Sequence, residues 1–493
     1  MVQARPQGRL YSTGELRELM QGATHGTRGV LVSIEPAIDR ILLLLLFYLR
    51  LNGELFRPFQ RQRITRSGHC SALSGKFPRI KNPRPPAEVV IAANFQGCFS
   101  AASQTTIKGK SITPANDRGG SAVFPVTGNV YPAGHYSVIL NIGNPPKAFD
   151  LDIDTGSDLT WVQCDAPCTG CTKPSDKLYN PKNNRVPCAS SLCQAVSTGQ
   201  NYNCDTPTDQ CDYEVQYADL GSSLGVLLAD YFPLRLTNSS LLQPRIAFGC
   251  GYDQKYLGPH SPPDTAGILG LGRGKASILS QLRTLGITKN VVGHCFSRVE
   301  GGFLFFGDRL LPPSGITWTP MLRGSSDTLY SSGPAELLFG GKPTGIGALQ
   351  LIFDSGSSYT YFNAQVYKSI LNLVRKDLSG KPLKDAPEEK ALPVCWKTAK
   401  PIKSIFDIES FFKPLTINFT NAKNVKLQLA PEDYLILTKD GNVCLGILNG
   451  GEQGLENFNV IGDNFMQDRV VVYDNERQQI GWFSTNCNRL PKS

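Results

Sequence analysis

The sequence predicts a mostly-β protein made of two homologous β-rich lobes with one active-site cleft between them. Three observations lead there. From about Ser121 onward, short runs rich in β-branched and aromatic residues alternate with Gly, Pro and Asn breakers. Helical spacing is rare. Two sequence landmarks recur at nearly one interval, the signature of an internal repeat. A chain of 493 residues that is 41% hydrophobic can bury a large core and divide into two or more structural units.

The strand-like runs are HYSVILNIG (135–143), KAFDLDID (147–154), CDYEVQYA (211–218), RIAFGCG (245–251), GGFLFFGD (301–308) and a hairpin over VVVYDNERQQIGWF (470–483). Apolar residues recur at helical spacing in SILSQLRTLG (277–286) and NAQVYKSILNLVRKDL (363–378).

The repeat is visible on inspection. FDLDIDTGSDLTW (149–161) matches LQLIFDSGSSYTY (349–361): an apolar run, then Asp, Thr or Ser, Gly and Ser, and an aromatic seven residues after the Asp. A second landmark, two apolar residues before a glycine, occurs in GILGLG (267–272) and NVIGDN (459–464), at Gly270 and Gly462. Two lobes sharing one site at their interface is the economical reading.

Asp154 and Asp354 head the two copies. Hydrolysis of a peptide bond without a metal or a covalent intermediate needs a base to activate water and an acid for the leaving group. Two neighbouring carboxyls supply both, because like charges held close cannot both ionise and the pair keeps one proton. Gly156 and Gly356 let the backbone turn tightly beside each carboxylate. Thr155, Ser157, Ser355 and Ser357 offer hydroxyl donors to hold it. A single Asp-Thr-Gly-Ser is also compatible with a plain turn; two copies in matching apolar frames favour the catalytic reading.

Other features narrow the function class. Residues 1–120 hold 17 Lys/Arg against 7 Asp/Glu, so the formal charge of +9 belongs to the N-terminal segment, and no basic patch on the folded body suggests nucleic acid. Cys70 and Cys98 lie in that segment; the other twelve cysteines lie from Cys164 onward, seven of them between 164 and 211. That density points to disulfides and an oxidising compartment. Zinc is the rival reading of Cys168-x-x-Cys171, but no second CxxC follows at ribbon spacing. No metal or cofactor is expected. GLGRGKAS (270–277) narrowly fails as a phosphate loop, and His294 in VVGHCFS is expected to be structural.

The N-terminal third says least. The apolar run 41–49 (ILLLLLFYL) is too short to span a bilayer, which takes roughly 20 residues. It can be a signal anchor, a signal-peptide core behind an overlong start, or a buried element; the second is favoured. Residues 51–120 read as linker or propeptide. The polar ending NRLPKS suggests neither a GPI signal nor a C-terminal anchor.

Taken together, YPAGHYSVILNIGNPPK, LDIDTGSDLTWVQCDAPC, QCDYEVQYADLGSSLGVLLAD, FGCGYDQ, GILGLGRGKASILSQL, IFDSGSSYTYF, CLGILNG and NVIGD…VVVYDNERQQIGW resemble the pepsin-like aspartic proteases, in particular their plant nucellin-like and nepenthesin-like branch. The resemblance spans about residues 121–489. It implies a pepsin-like bilobal fold with lobes over 121–310, carrying a Cys-rich insert at 164–211, and over 311–493, behind an N-terminal extension, 1–120. It implies an aspartic endopeptidase acting on an extended peptide or protein at acid pH. Asp154 and Asp354 would hold the water, Thr155 and Ser355 would brace the two loops, and Ser157 and Ser357 would orient the carboxylates. Tyr217 would be the flap tyrosine, steadied by the Trp161 indole and largely exposed in the free enzyme.

The same resemblance implies the pairs Cys164–Cys168, Cys171–Cys250, Cys188–Cys211, Cys193–Cys204, Cys295–Cys487 and Cys395–Cys444. It also implies a secreted or endomembrane, vacuolar location and a monomer, with membrane association only through 41–49. Asn238 (Asn-Ser-Ser) and Asn418 (Asn-Phe-Thr) are glycosylation acceptors. A pepsin-fold binding or inhibitor protein is the rival function; the two intact Asp motifs weigh against it.

Overall fold

The computed structural model describes residues 120–197, 204–256, 263–322 and 328–489. The apolar run 41–49, the linker or propeptide reading of 51–120, and Cys70 and Cys98 lie outside them.

Among the described residues, the strands form sheets of thirteen, eight, four and two strands. The largest begins at the edge with Asp212–Gln216 and Ser222–Tyr231, passes through Lys147–Asp154 and Ala122–Asn129, and ends with Arg469–Asp474, Gln479–Ser484 and Thr317–Pro320. Strands from the end of the chain thus join a sheet begun by the first half: Val291–Phe296 pairs antiparallel with Arg469–Asp474. Every residue of Arg469–Asp474 is buried, as expected of a strand covered on both faces.

The alternation in the strand Lys147–Asp154 shows how the sequence sets the register. Phe149, Leu151 and Ile153 are buried in the core, while Asp150 and Asp152 stand half-buried on the opposite face. The eight-stranded sheet repeats the arrangement around Leu349–Phe353, whose Leu351 and Phe353 enter the same core cluster.

The repeat in sequence is a repeat in topology. Gly267–Gly270 runs parallel beside Lys147–Asp154, with Gly270 opposite Asp154. Val460–Ile461 runs parallel beside Leu349–Phe353, with Ile461 opposite Phe353. Each of these strands also meets the strand after the Asp motif, Trp161–Gln163 or Thr360–Phe362. The glycines are needed because the backbones nearly touch. A Cβ on Gly270 would come 2.6 Å from the Asp158 carbonyl carbon, and one on Gly462 would come 2.1 Å from the Tyr359 carbonyl oxygen.

The two helical runs fold as expected. Ser277 caps Ile278–Thr284 by accepting the Ser280 N–H at 3.3 Å, and Asn363 caps Ala364–Leu378 by accepting the Val366 N–H at 3.1 Å. Arg375 and Lys376 close the second helix on its negative end. His294 is fully buried, its ring stacked on Phe296 at 4.1 Å and its Nε2 3.2 Å from the Tyr473 hydroxyl. Burial pushes its pKa down to about 3, so it is a neutral core residue.

Six disulfides join the twelve body cysteines, and four of the expected pairings are wrong. Cys295–Cys487 and Cys395–Cys444 form as expected, but the insert is closed by Cys164–Cys250, Cys168–Cys171, Cys188–Cys204 and Cys193–Cys211. Strand pairing explains the first correction. Trp161–Gln163 lies parallel beside Arg245–Lys255, and the Cys164 N–H donates to the Gly251 carbonyl at 2.9 Å. Cys164 is thereby set 5.3 Å, Cα to Cα, from Cys250. Cys168 is left to its near neighbour Cys171, which also rules these two out as zinc ligands. Further along, the short helix Ser191–Val196 carries Cys193 onto Cys211, beside the strand Asp212–Gln216, so the two remaining bridges interleave instead of nesting.

Candidate active site

Each catalytic-type loop leaves its strand at an aspartate held by the neighbouring parallel strand. The Leu271 N–H donates to the Asp154 carbonyl at 2.7 Å, and the Asp354 N–H donates to the Ile461 carbonyl at 3.0 Å. The tight turn that follows returns two donors to each carboxylate. For Asp154, the Gly156 N–H reaches Oδ1 at 2.8 Å and the Ser157 hydroxyl reaches Oδ2 at 2.5 Å. For Asp354, the Gly356 N–H reaches Oδ1 at 2.9 Å and the Ser357 hydroxyl reaches Oδ2 at 2.9 Å. The two carboxyls are therefore gripped in the same way by residues 200 positions apart.

The loops are also tied to each other. The Thr155 N–H donates to Ser355 Oγ at 3.1 Å, and the Ser355 N–H donates to Thr155 Oγ1 at 2.9 Å. Each hydroxyl then donates onward, Thr155 to the Phe353 carbonyl at 3.1 Å and Ser355 to the Ile153 carbonyl at 2.9 Å. Buried backbone groups must be satisfied, and here each loop satisfies the other.

Asp154 and Asp354 are both buried. Burial, with the Asp354 charge nearby, pushes the Asp154 carboxyl up to about 6.

The strands Asp212–Gln216 and Ser222–Tyr231 form the hairpin whose tip is residues 217–221. Here the structure corrects an expectation: Tyr217 is only 4% exposed. It packs with Leu159, Trp161, Val215 and Ile268, and its hydroxyl accepts the Trp161 indole N–H at 2.7 Å. The exposed residue of the tip is Leu220, at 69%. Aromatic bulk drives the tyrosine inward, while the turn projects Leu220, in a left-handed conformation with φ 69°, toward solvent.

Sequence reasoning missed three carboxyls near the pair. Asp158 accepts the Gly274 N–H at 2.7 Å and so holds the loop that follows Gly270; burial pushes it up to about 7. A Cβ at Gly272 or Gly274 would come within 2.4 or 2.1 Å of its carboxylate, which explains the glycines of GLGRG. Asp463 follows the second apolar-Gly landmark. Its N–H donates to the Ser357 carbonyl at 2.8 Å, and neither carboxyl oxygen has a hydrogen-bond partner. Burial, then the charge of Asp354, holds it well above the usual carboxylate range. Its position directly after Val-Ile-Gly was the available signal. The third, Asp152, stands two residues before Asp154 on the same face of the strand.

Comparison with known proteins decides the family. The family models described as xylanase inhibitor N-terminal and xylanase inhibitor C-terminal match residues 136–308 and 339–484. An aspartic proteinase from Oryza sativa subsp. japonica is 45% identical over 385 residues, covering 76% of this chain and 93% of that protein. The chain belongs to the pepsin-like aspartic proteases of plants. This plant aspartic protease is also 28% identical to aspartic proteinase nepenthesin-1 from Nepenthes gracilis, across 72% of the chain and 78% of nepenthesin-1. Among solved structures, the basic 7S globulin from soybean shares its fold, with a TM-score of 0.59 at 17% identity over 76% of this chain and 98% of the globulin. The protein is an aspartic-type endopeptidase, and its substrates are peptides. Among the described residues, no helix is long and apolar enough to cross a membrane.

Proposed function

We propose that Asp154 and Asp354 are the catalytic pair and share one proton, the behaviour for which aspartic proteases are the standing example. The matched grip on the two carboxyls, a glycine N–H on one oxygen and a serine hydroxyl on the other, carries this reading. The ionised carboxylate takes a proton from water as the water oxygen attacks the peptide carbonyl carbon. The protonated carboxyl gives its proton to the carbonyl oxygen as charge develops there, leaving a neutral tetrahedral diol and one proton on the pair. The diol then collapses: the pair's proton passes to the amide nitrogen, the C–N bond breaks, one diol hydroxyl returns its proton to the pair, and a free acid and amine leave. The pair titrates as a unit. Thr155 and Ser355 keep the carboxyls at working distance, Gly156, Ser157, Gly356 and Ser357 aim them, and the flap Tyr217 with Trp161 shuts water out over the bound peptide.

The lobes of this enzyme run over 121–310 and 311–493, joined through the shared sheet. It acts as a monomer, without nucleic acid, in a secreted or vacuolar compartment where its disulfides persist. The xylanase-inhibitor description of the matching family models favours a second reading, a pepsin-fold binding protein; the two complete Asp motifs support the enzyme instead. Digestion of a denatured protein at mildly acid pH separates the two. Asp154→Asn or Asp354→Asn should abolish cleavage while the protein stays folded, and more than a few per cent of residual rate in either variant defeats the assignment.

A further inference from the structure

The mechanism leaves the Cys168–Cys171 bridge without a task. Of the six bridges among the described residues, it is the one in which neither cysteine is buried. It also spans the shortest stretch of chain, a separation of 3 residues where the other bridges span 16 to 192. In the chain-entropy model so short a loop contributes least to stability, so the fold depends least on this bridge. A sulfur open to solvent is open to an attacking thiolate, and exposed bridges are the labile ones.

The bridge closes the turn at residues 168–171, and that turn supports the hairpin that leads to Tyr217. Trp161–Gln163 runs beside Arg245–Lys255 as far as Gly251, and beyond it the turn takes the vacated edge. The Thr169 N–H donates to the Tyr252 carbonyl at 2.8 Å, and the Gln254 N–H donates to the Thr169 carbonyl at 2.9 Å. Gly170 makes this approach possible. It is left-handed, with φ 70°, and a Cβ there would come 2.1 Å from the Gln254 carbonyl oxygen. The opposite edge of the same strand end holds the hairpin: Leu224 pairs with Asp253, Ser223 with Gln254, and Ser222, the first residue after the tip, with Lys255. Gln254 is buried, and neither polar atom of its side chain has a hydrogen-bond partner, so its backbone bonds fix this strand end.

We propose that Cys168–Cys171 is a reversible thiol–disulfide exchange site for a dithiol, and that opening it slackens the flap. The exchange stands by itself; its effect on cleavage rests on the flap reading of Tyr217 above. One thiolate of the dithiol attacks a sulfur of the bridge, forming a mixed disulfide and releasing the other cysteine, which takes up a proton. The second thiolate then attacks the mixed disulfide and frees the remaining cysteine. Two electrons and two protons pass to Cys168 and Cys171, and the dithiol leaves as a disulfide. With the turn unclosed, the two Thr169 backbone bonds fray, and the strand end beside the flap loosens with them.

The test uses the full-length enzyme. Thiols already free are blocked, limiting dithiothreitol is added at mildly alkaline pH, and the newly freed thiols are tagged and mapped. Cys168 and Cys171 should be labelled before any other cysteine. Peptide cleavage is then measured at mildly acid pH, where thiolates are protonated and the redox state set beforehand is held. In the reduced enzyme kcat/KM should fall about fivefold, the size of one backbone hydrogen bond. Hydrogen exchange at residues 222–224 and 252–254 should quicken, and re-oxidation should reverse both changes. The double variant Cys168→Ser, Cys171→Ser should match the reduced enzyme; should it fail to fold, the reduced wild type decides. Opening of another bridge first overturns the inference. So does selective opening that leaves hydrogen exchange or kcat/KM unchanged. Failure of the dyad reading shows separately, as no cleavage in either redox state, and thiol mapping with hydrogen exchange then decides this one.

Discussion

Thr155 and Ser355 each accept the other's backbone N–H, at 2.9 and 3.1 Å, across 200 residues of chain. The two halves are thus locked beside the two carboxyls that the proposed mechanism requires to share a proton. Thr155→Ala removes the acceptor of the Ser355 N–H and the donor to the Phe353 carbonyl. Each buried orphan costs roughly 1–3 kcal/mol. Urea unfolding should show that loss together with a fall in kcat, and Thr155→Ser, which keeps the hydroxyl, should recover most of both. Equal damage from the serine variant would mean that the methyl group, and not the hydroxyl bridge, matters.

Stability should fall as pH rises from about 4 to about 7. Asp152 and Asp154, each pushed up to about 6, and Asp158, up to about 7, bind protons more tightly in the folded chain than in the unfolded one. Their contribution is complete below the ordinary carboxylate range and is lost as pH climbs through the raised values. His294, held neutral down to about 3, acts in the opposite sense over the same window but is one group against several. Melting temperature against pH tests the balance. Asp158→Asn keeps an oxygen for the Gly274 N–H and should flatten the decline; a steeper decline in that variant would show the sign to be wrong.

Tyr217, proposed as the flap tyrosine, is buried at the hairpin tip, so its substitutions should separate packing from the hydrogen bond. Tyr217→Phe keeps the ring in its cluster but leaves the Trp161 N–H without its partner, which should lower kcat/KM with a stability loss of about 1–3 kcal/mol. Tyr217→Ala empties the site as well and should cost roughly 3–5 kcal/mol in all. Thermal denaturation and steady-state kinetics on both variants distinguish them. A phenylalanine variant with wild-type kinetics would deny the hydroxyl a role in closing the flap.

The two glycosylation acceptors differ in access. Asn238 is exposed in a turn, its Oδ1 accepting the Ser240 N–H at 3.1 Å. Asn418 lies in the strand Leu415–Phe419, paired on both sides, and its Nδ2 donates to Glu336 at 2.7 Å. In plant-expressed protein, Asn238→Gln should abolish most of the glycosidase-induced mobility shift and Asn418→Gln little of it. The reverse pattern would show that the acceptor strand opens before modification.

How much was legible beforehand depends on the range of the forces involved. Alternation in KAFDLDID, the helical spacing in 277–286 and 363–378, and the doubled Asp-Thr/Ser-Gly-Ser frame act over a few residues, so the linear pattern showed the strands, the helices and the aspartate pair directly. The apolar-Gly landmarks were legible for a similar reason: close backbone crossing at Gly270 and Gly462 excludes every side chain, and that demand stays written in the residue type.

The sequence by itself determined the β-rich duplication, the two carboxyl loops and the oxidised body. Only the tertiary structure decided which cysteines meet, where Tyr217 goes, and which further carboxyls surround the pair. Disulfide partners depend on which strands run side by side, and the parallel pairing that brings Cys164 to Cys250 joins segments 86 residues apart. Burial of Tyr217, and the raised titration of Asp158 and Asp463, likewise follow from desolvation by distant segments folded over them, and a carboxyl's neighbours in space are not its neighbours in the chain.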